Sequence, residues 1–133
     1  MTGGQGRTPP SSVVLIVEDD ALLRMLAADV VEDAGHVAVQ ARDADEALAI
    51  LRTRRDIAMV FTDINMPGSM NGLELAYAVR AGWPPIKIVV ASGRIRLSPA
   101  EMPPECDFLG KPYLMSDLTA QLQSLAGRNP ICA

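Results

Sequence analysis

The sequence contains little cysteine and almost no histidine: two cysteines and one histidine occur among 133 residues. Cys106 and Cys132 lack the paired spacing of a zinc site, and two cysteines are too few for a disulfide framework. His36, the single histidine, follows Gly35 and is expected to be an ordinary residue at the start of a strand. These shortages exclude a zinc module and a disulfide-stapled fold, and they favour a reducing compartment.

Basic runs and long apolar runs are also missing. The net charge is −4, and no cluster of Lys and Arg offers a footprint for nucleic acid. No apolar stretch approaches the roughly 20 residues that span a bilayer, and residues 1–10 lack the apolar core of a signal peptide. We therefore expect no direct contact with nucleic acid, no membrane segment and a cytoplasmic location.

The sequence does have enough apolar residues for a core, since 49% of its residues are hydrophobic. A chain of this length accommodates one well-packed domain and is too short for two. Residues 1–12 are rich in Gly, Thr, Pro and Ser, and they cannot bury enough apolar surface to become ordered. We expect a disordered segment over 1–12, a domain over 13–126 and a tail over 127–133.

Two hydrophobic patterns alternate within this domain. Continuous aliphatic runs, typical of strands buried on both faces, are followed by segments with apolar residues at helical spacing. The predicted strands are 13–17, 37–41, 57–62, 86–91 and 107–109. The predicted helices begin at Ala21, Ala44, about Asn71 and Ser116, the last of these as a cap. Between the fourth and fifth strands, Pro103 and Pro104 restrict any helix to about one turn.

The alternation predicts an α/β fold: a flavodoxin-like, doubly wound parallel sheet of five strands in the order 2-1-3-4-5, with helices on both faces. The helix between the fourth and fifth strands, which would be the fourth in chain order, is expected to be short or disordered. Such sheets bind ligands beyond the carboxyl ends of their strands. Those ends carry polar residues in this sequence, namely Glu18 with Asp19, Asp63, Ser92 and Lys111. Four distant segments therefore bring acids, a hydroxyl and an amine to one edge.

The carboxylates at this edge predict a metal site. Three neighbouring carboxylates repel one another unless a cation shares the site, and Mg²⁺ takes oxygen ligands while keeping several waters. An aspartate beside such an ion can attack phosphorus and form an acyl phosphate. Asp63 is the candidate nucleophile, and Ser92 and Lys111 would hold phosphoryl oxygens. Asp20 is expected to cap the first helix instead.

The residues at the strand ends also match a known family. From about Val13 to Leu125, the chain resembles the receiver domain of two-component response regulators. The motifs that carry this resemblance are Val14-Leu15-Ile16-Val17-Glu18-Asp19-Asp20, Phe61-Thr62-Asp63-Ile64-Asn65-Met66-Pro67-Gly68, Ala91-Ser92-Gly93 and Phe108-Leu109-Gly110-Lys111-Pro112-Tyr113.

The resemblance implies a phosphoacceptor and a metal site. Asp63 would take a phosphoryl group from a histidine kinase or a histidine phosphotransfer protein. Glu18 and Asp19 would bind Mg²⁺, with Asp19 and Asp63 as direct side-chain ligands and Asn65 offering its backbone carbonyl.

The resemblance also implies a switch. Ser92 corresponds to the hydroxyl that moves onto the phosphoryl group, Phe108 to an aromatic rotamer switch, and Lys111 to the lysine that pairs with the phosphoryl group. The domain would then be a phosphoacceptor switch in two-component phosphorelay signalling rather than an enzyme, either alone or as part of a hybrid histidine kinase. A homodimer is left open.

Other classes of protein remain as alternatives. A degenerate, phosphorylation-independent interaction module would share the fold without the chemistry. A small Mg²⁺-dependent aspartyl phosphohydrolase would share the acyl phosphate, but Asn65 stands where such an enzyme usually carries a second acid. A flavin-binding electron carrier is disfavoured because Glu18 and Asp19 would repel the flavin phosphate.

Overall fold

A computed structural model describes residues 12–66, 70–92, 99–110 and 115–127. The strands are β1 (Val13–Val17), β2 (Val37–Ala41), β3 (Ile57–Asp63), β4 (Lys87–Ser92) and β5 (Cys106–Gly110). The helices are α1 (Ala21–Asp33), α2 (Ala44–Thr53), α3 (Gly72–Gly82) and α4 (Met115–Gly127). The predicted order of strands and helices is confirmed, with boundaries that differ by one or two residues. The segments predicted for the two ends of the chain fall almost wholly outside the described residues, so those bounds stay predictions.

The β-strands form a single parallel sheet in the order β2-β1-β3-β4-β5, as predicted. Successive side chains of β1 point to opposite faces: Leu15 and Val17 join a core beneath α2 and α3, whereas Val14 and Ile16 join a second core beneath α1 and α4. Burial on both faces explains why β1 is continuously aliphatic. The domain is therefore doubly wound, and the carboxyl ends of all its strands lie at one edge.

Side-chain caps fix where three of the helices begin. Asp20 caps α1, Asp43 caps α2, and Asn71 forms a capping box with Glu74 at the start of α3. The prediction that Ser116 caps the last helix is wrong, because α4 already begins at Met115 and Ser116 lies in its first turn.

The large apolar side chains in the first two turns of α1 do not pack on the sheet. Ala27, Ala28 and Val31 are the buried residues of α1. By contrast, Leu22 is 63% exposed and Leu26 is 42% exposed. Helical spacing thus correctly predicted the helix, but the largest apolar side chains of its first two turns face solvent.

The connection between β4 and β5 contains the short element that the prolines predicted. Among the described residues it has one 3₁₀ turn, Pro99–Glu101, and residues 93–98 lie outside the described part. Arg80 of α3 holds its far end, because the guanidinium donates hydrogen bonds to the backbone carbonyls of Pro104 and Glu105. The same guanidinium also donates to the carbonyls of the turn before β4, those of Pro84 and Ile86.

Candidate functional site

Three carboxylates meet at the carboxyl edge of the sheet. Glu18 and Asp19 follow β1, and Asp63 ends β3, which pairs with β1 directly. One carboxylate oxygen from each of these residues lies within 4.8 Å of the others. Glu18 and Asp63 are each only 7% exposed, whereas Asp19 faces solvent. The three acids predicted from the strand ends therefore do meet at this edge of the sheet.

Backbone and side-chain contacts fix the loop that carries Glu18 and Asp19. The amide of Glu18 donates to the carbonyl of Ala41 at 3.0 Å, which continues the pairing of β1 with β2. Arg24 donates from Nη1 to the carbonyl of Glu18 at 2.8 Å and from Nε to Oε1 of Gln40 at 3.1 Å. Sequence reasoning did not single out Arg24. The only indication of its role was its position, as a cation one helical turn after the acids.

Asp20 serves the helix rather than the acidic cluster. Its Oδ1 accepts hydrogen bonds from the amides of Leu22 at 2.9 Å and Leu23 at 3.2 Å. The amide of Asp20 in turn donates to Oε2 of Glu18 at 3.2 Å. The predicted cap is confirmed, and the acids that form the cluster are those of Glu18, Asp19 and Asp63.

Asp63 is held in a tightly packed backbone frame. The amide of the next residue, Ile64, donates to the carbonyl of Ala91 on β4 at 2.9 Å, and the amide of Gly72 donates to the carbonyl of Ile64 at 2.9 Å. A Cβ atom on Gly72 would lie 1.9 Å from the carbonyl oxygen of Asp63. Only glycine permits this approach of α3 to the end of β3, and Gly72 too was missed in the sequence.

Ser92 and Asn65 are linked directly. Ser92 ends β4 and is 2% exposed, while Asn65 lies two residues beyond Asp63 with an exposed side chain. The amide Nδ2 of Asn65 donates a hydrogen bond of 3.1 Å to the hydroxyl Oγ of Ser92. Because Ala91 is the register partner of Asp63, Ser92 lies one residue further along the neighbouring strand.

The other two predicted site residues belong to the β5 segment. Phe108 lies on β5 and packs, half-buried, against the core beneath α2 and α3. Lys111 follows the end of β5 and lies outside the described residues, so its role stays a prediction.

The chemistry of the donor set fits a hard divalent cation. In the part of the chain that the structure describes, one group of three His, Cys, Asp or Glu residues is placed to hold a metal ion. It consists of Glu18, Asp19 and Asp63, and it offers carboxylate oxygens alone. Oxygen-only sites of this kind suit Mg²⁺ or Ca²⁺, and they do not suit metals that require imidazole or thiolate ligands.

A cavity of about 250 Å³ lies away from this cluster. Its lining includes Ile57, Trp83 and Ile86, at the segments that lead into β3 and β4, together with Arg54 and Arg55. It therefore opens at the amino edge of the sheet. It contributes nothing to the acidic site, which lies at the opposite edge of the sheet.

Comparison with known proteins identifies the family. The sequence model of the response regulator receiver domain matches residues 14–123. The chain therefore belongs to the receiver domain family of two-component response regulators, whose members are signalling switches. No helix in the described ranges is both long and apolar enough to cross a membrane.

Individual relatives agree with this assignment. The nitrogen assimilation regulatory protein NtrX of Azorhizobium caulinodans is 36% identical over 104 residues, which cover 75% of this chain and 23% of that protein. A CheY homologue of Campylobacter jejuni, a chemotaxis protein, is 29% identical over 120 residues, which cover 86% of this chain and 92% of that protein. The match thus spans about a quarter of the first relative and nearly all of the second.

Solved structures share the fold. A response regulator receiver protein from Sinorhizobium medicae superimposes with a TM-score of 0.81 at 25% identity, covering 90% of this chain and 98% of that chain. A receiver domain protein from Clostridium thermocellum superimposes with a TM-score of 0.82 at 20% identity, covering 92% and 99%. The second likeness concerns the fold alone.

Proposed function

We propose that this receiver domain is a phosphoacceptor, and that Asp63 takes a phosphoryl group from the phosphohistidine of a histidine kinase or histidine phosphotransfer protein. The observation that carries the proposal is the meeting of Glu18, Asp19 and Asp63 carboxylates within 4.8 Å at the carboxyl edge of a receiver fold. Family membership supports it, and the domain is proposed to span residues 13–126.

The transfer step is a displacement at phosphorus. A carboxylate oxygen of Asp63 attacks the phosphorus atom and forms a P–O bond, while the P–N bond to the donor imidazole breaks and its electron pair returns to the ring nitrogen. The frame around Asp63 supports this role because the amide of Ile64 and the close approach of Gly72 fix the strand end. A fixed nucleophile loses less entropy on reaching the geometry for attack.

We propose Mg²⁺ as the cofactor, held by the side chains of Glu18, Asp19 and Asp63 and by the backbone carbonyl of Asn65. When bound, the ion would neutralise negative charge on the transferring group. Arg24 supports the site without entering it, since its bond to the carbonyl of Glu18 holds the acidic loop in place. Ser92 and Lys111 are proposed to bind phosphoryl oxygens, and Phe108 to respond to the movement of Ser92.

The solvent face of α1 supports a protein as the phosphoryl donor. Four apolar side chains lie exposed there in two helical turns, and we call them the α1 patch: Leu22, Leu23, Met25 and Leu26. The patch begins directly after the capped acidic loop, so a protein resting on it would reach the site. Contiguous exposed apolar side chains of this kind mark interaction surfaces.

Phosphorylation from a small donor tests the proposal. The protein is incubated with acetyl phosphate, with and without Mg²⁺, and its intact mass is measured. We expect the mass of one phosphoryl group to be added only with Mg²⁺, to be absent in Asp63→Asn, and to be retained in the matched control Asp33→Asn, an exposed acid of α1. Addition to the Asp63→Asn variant would contradict the assignment of the nucleophile.

The degenerate interaction module is the second candidate, and the same experiment separates it. If Mg²⁺ binds but neither acetyl phosphate nor a phosphorylated histidine kinase core adds a phosphoryl group, the module is favoured. The aspartyl phosphohydrolase gains no support from the described residues, because the side chain of Asn65 is neutral and is engaged with Ser92.

A further inference from the structure

We propose that the cavity at the amino edge of the sheet is a second ligand site, which takes a small planar organic anion: an aromatic ring that carries one carboxylate. The site is independent of the proposed phosphorylation, since it lies at the opposite edge of the sheet from the acidic cluster. Three features support the inference: an apolar floor beside an indole ring, two walls that are already held in place, and an arginine without a partner.

The floor of the cavity is apolar. Ile57, the first residue of β3, and Ile86, the residue before β4, are each 6% exposed, and both line the cavity together with the half-buried Trp83. The volume of about 250 Å³ is several times the roughly 30 Å³ that one water molecule occupies in the liquid. This space suffices for one aromatic ring, and a ring that entered it would remove apolar surface from water.

The wall that follows α3 is held by hydrogen bonds. The amide of Trp83 donates to the carbonyl of Val79 at 2.7 Å, and the amide of Ile86 donates to the carbonyl of Trp83 at 3.1 Å. Arg80 donates from Nη1 to the carbonyls of Pro84 at 2.6 Å and Ile86 at 2.9 Å. This turn is therefore fixed before a ligand arrives, which reduces the entropy that binding must lose.

The wall that follows α2 is held by an ion pair. Arg54 donates from Nε to Oδ1 of Asp56 at 2.9 Å and from Nη2 to Oδ2 of the same carboxylate at 2.8 Å. The backbone amide of Arg54 also donates to the carbonyl of Ile50 at 2.9 Å. Because the charges of Arg54 and Asp56 balance one another, this pair shapes the cavity without attracting an anion to it.

Arg55 supplies the charge that selects an anion. It lines the cavity, its side chain is exposed, and among the described residues it has no hydrogen bond or ion pair. With Arg54 paired, a net positive charge remains at this cavity on a chain whose overall charge is −4. A guanidinium is a planar fork of N–H donors, and a carboxylate accepts two of them at once.

The two parts of the lining together define the class of ligand. An inorganic anion would pair with Arg55 and leave the apolar floor in contact with water. A neutral ring would cover that floor and pack against Trp83, but it would leave Arg55 unpaired. An aromatic carboxylate satisfies both parts, with its ring on the floor and its carboxylate at the rim.

An NMR titration of the protein tests the inference, with sodium benzoate as the probe. Benzamide is the neutral molecule of similar shape and sodium acetate is the anion without a ring, all at constant ionic strength. We expect benzoate to shift the indole N–H signal of Trp83, the only tryptophan, along a saturating curve. The expected dissociation constant is on the order of 1 mM, a weak affinity that suits a ligand of few atoms.

Benzamide and acetate should each bind at least about threefold more weakly, since each lacks one of the two interactions. No saturating shift with benzoate would overturn the inference, and so would equal affinity for either control molecule. The titration needs neither Mg²⁺ nor phosphate, so its result is separate from that of the acetyl phosphate experiment.

Replacing Arg55 by Gln tests the assigned cation, because it removes the charge and keeps a polar side chain. We expect the affinity for benzoate to fall roughly three- to tenfold, as for a charge-assisted hydrogen bond at an exposed position. Arg52→Gln is the matched control, since Arg52 is an exposed arginine of α2 that does not line the cavity. Unchanged affinity in Arg55→Gln, or an equal loss in both variants, would overturn the inference.

Discussion

The hydroxyl of Tyr77 on α3 donates a hydrogen bond of 3.0 Å to the backbone carbonyl of Glu101, in the 3₁₀ turn between β4 and β5. Together with the guanidinium of Arg80, it fastens the described part of this connection to α3. The sequence led us to expect a segment with little structure of its own. Its order comes from side chains of α3. They donate hydrogen bonds to backbone carbonyls that a longer helix would have paired with its own amides.

Replacing Tyr77 by Phe should loosen this connection while keeping the aromatic ring. We expect a loss of about 1 kcal/mol in the free energy of unfolding, the typical net value of one hydrogen bond, and faster hydrogen exchange at the backbone amides of residues 100–102 and 105, the non-proline positions of this segment. Ser124→Ala is the control, because that hydroxyl bonds only within α4, to the carbonyl of Gln121. Unchanged exchange at these four amides in the Tyr77→Phe variant would contradict the prediction.

Replacing Gly72 by Ala should disturb the frame of Asp63. The new methyl group would meet the carbonyl oxygen of Asp63 at 1.9 Å, so the start of α3 must move away from the end of β3. We expect a destabilisation of roughly 1 to 3 kcal/mol in urea unfolding and slower phosphorylation by acetyl phosphate. Gly82→Ala is the matched control, since no atom outside the adjoining backbone of α3 lies within 4 Å of its added Cβ. Equal stability of the two variants would refute the steric argument.

Polar substitutions in the α1 patch should separate a protein donor from a small one. We expect Leu22→Asn with Met25→Asn to leave stability and acetyl phosphate labelling almost unchanged, because these side chains are 63% and 55% exposed. Phosphotransfer from a histidine kinase core that labels the wild type should fall about tenfold or more, as for the central residues of an interface. Val37→Thr, also at an exposed apolar position, should not change it. If phosphorylation by acetyl phosphate fell as much as phosphotransfer from the kinase core, Leu22 and Met25 would belong to the phosphorylation site itself.

The thiol of Cys106 should make stability fall at high pH. Burial raises the pKa of Cys106 from 9.0 to about 11, against an opposing effect of the nearby Arg80 cation. Between these values the unfolded chain releases its proton while the folded domain keeps it, so stability declines as pH rises from 9 to 11. Urea unfolding across this range should show a steeper decline for the wild type than for Cys106→Ala. Parallel curves would show that the thiol titrates alike in both states.

Most of the fold could be predicted because its signals are local. The aliphatic run of β1, the cap at Asp20 and the acids after β1 and β3 are short patterns with direct physical causes, namely burial on both faces and capping of free amides. The parallel topology then follows from the alternation of strands and helices, and it brings Glu18, Asp19 and Asp63 together at one edge.

The sequence could not predict contacts between residues that are far apart in the chain and meet only in the folded domain. Arg24, Gly72 and the side chain of Asn65 look ordinary in the chain, and their roles arise only where strand ends and helix starts meet. The exposure of Leu22 and Leu26 was equally hidden, because helical spacing identifies a stripe but not the surface against which it packs. The sequence by itself thus determined the elements, the family and the acids of the site. Tertiary structure alone decided which side chains hold those acids in position and which apolar side chains of α1 stay exposed, since both depend on the packing of segments that are far apart in the chain.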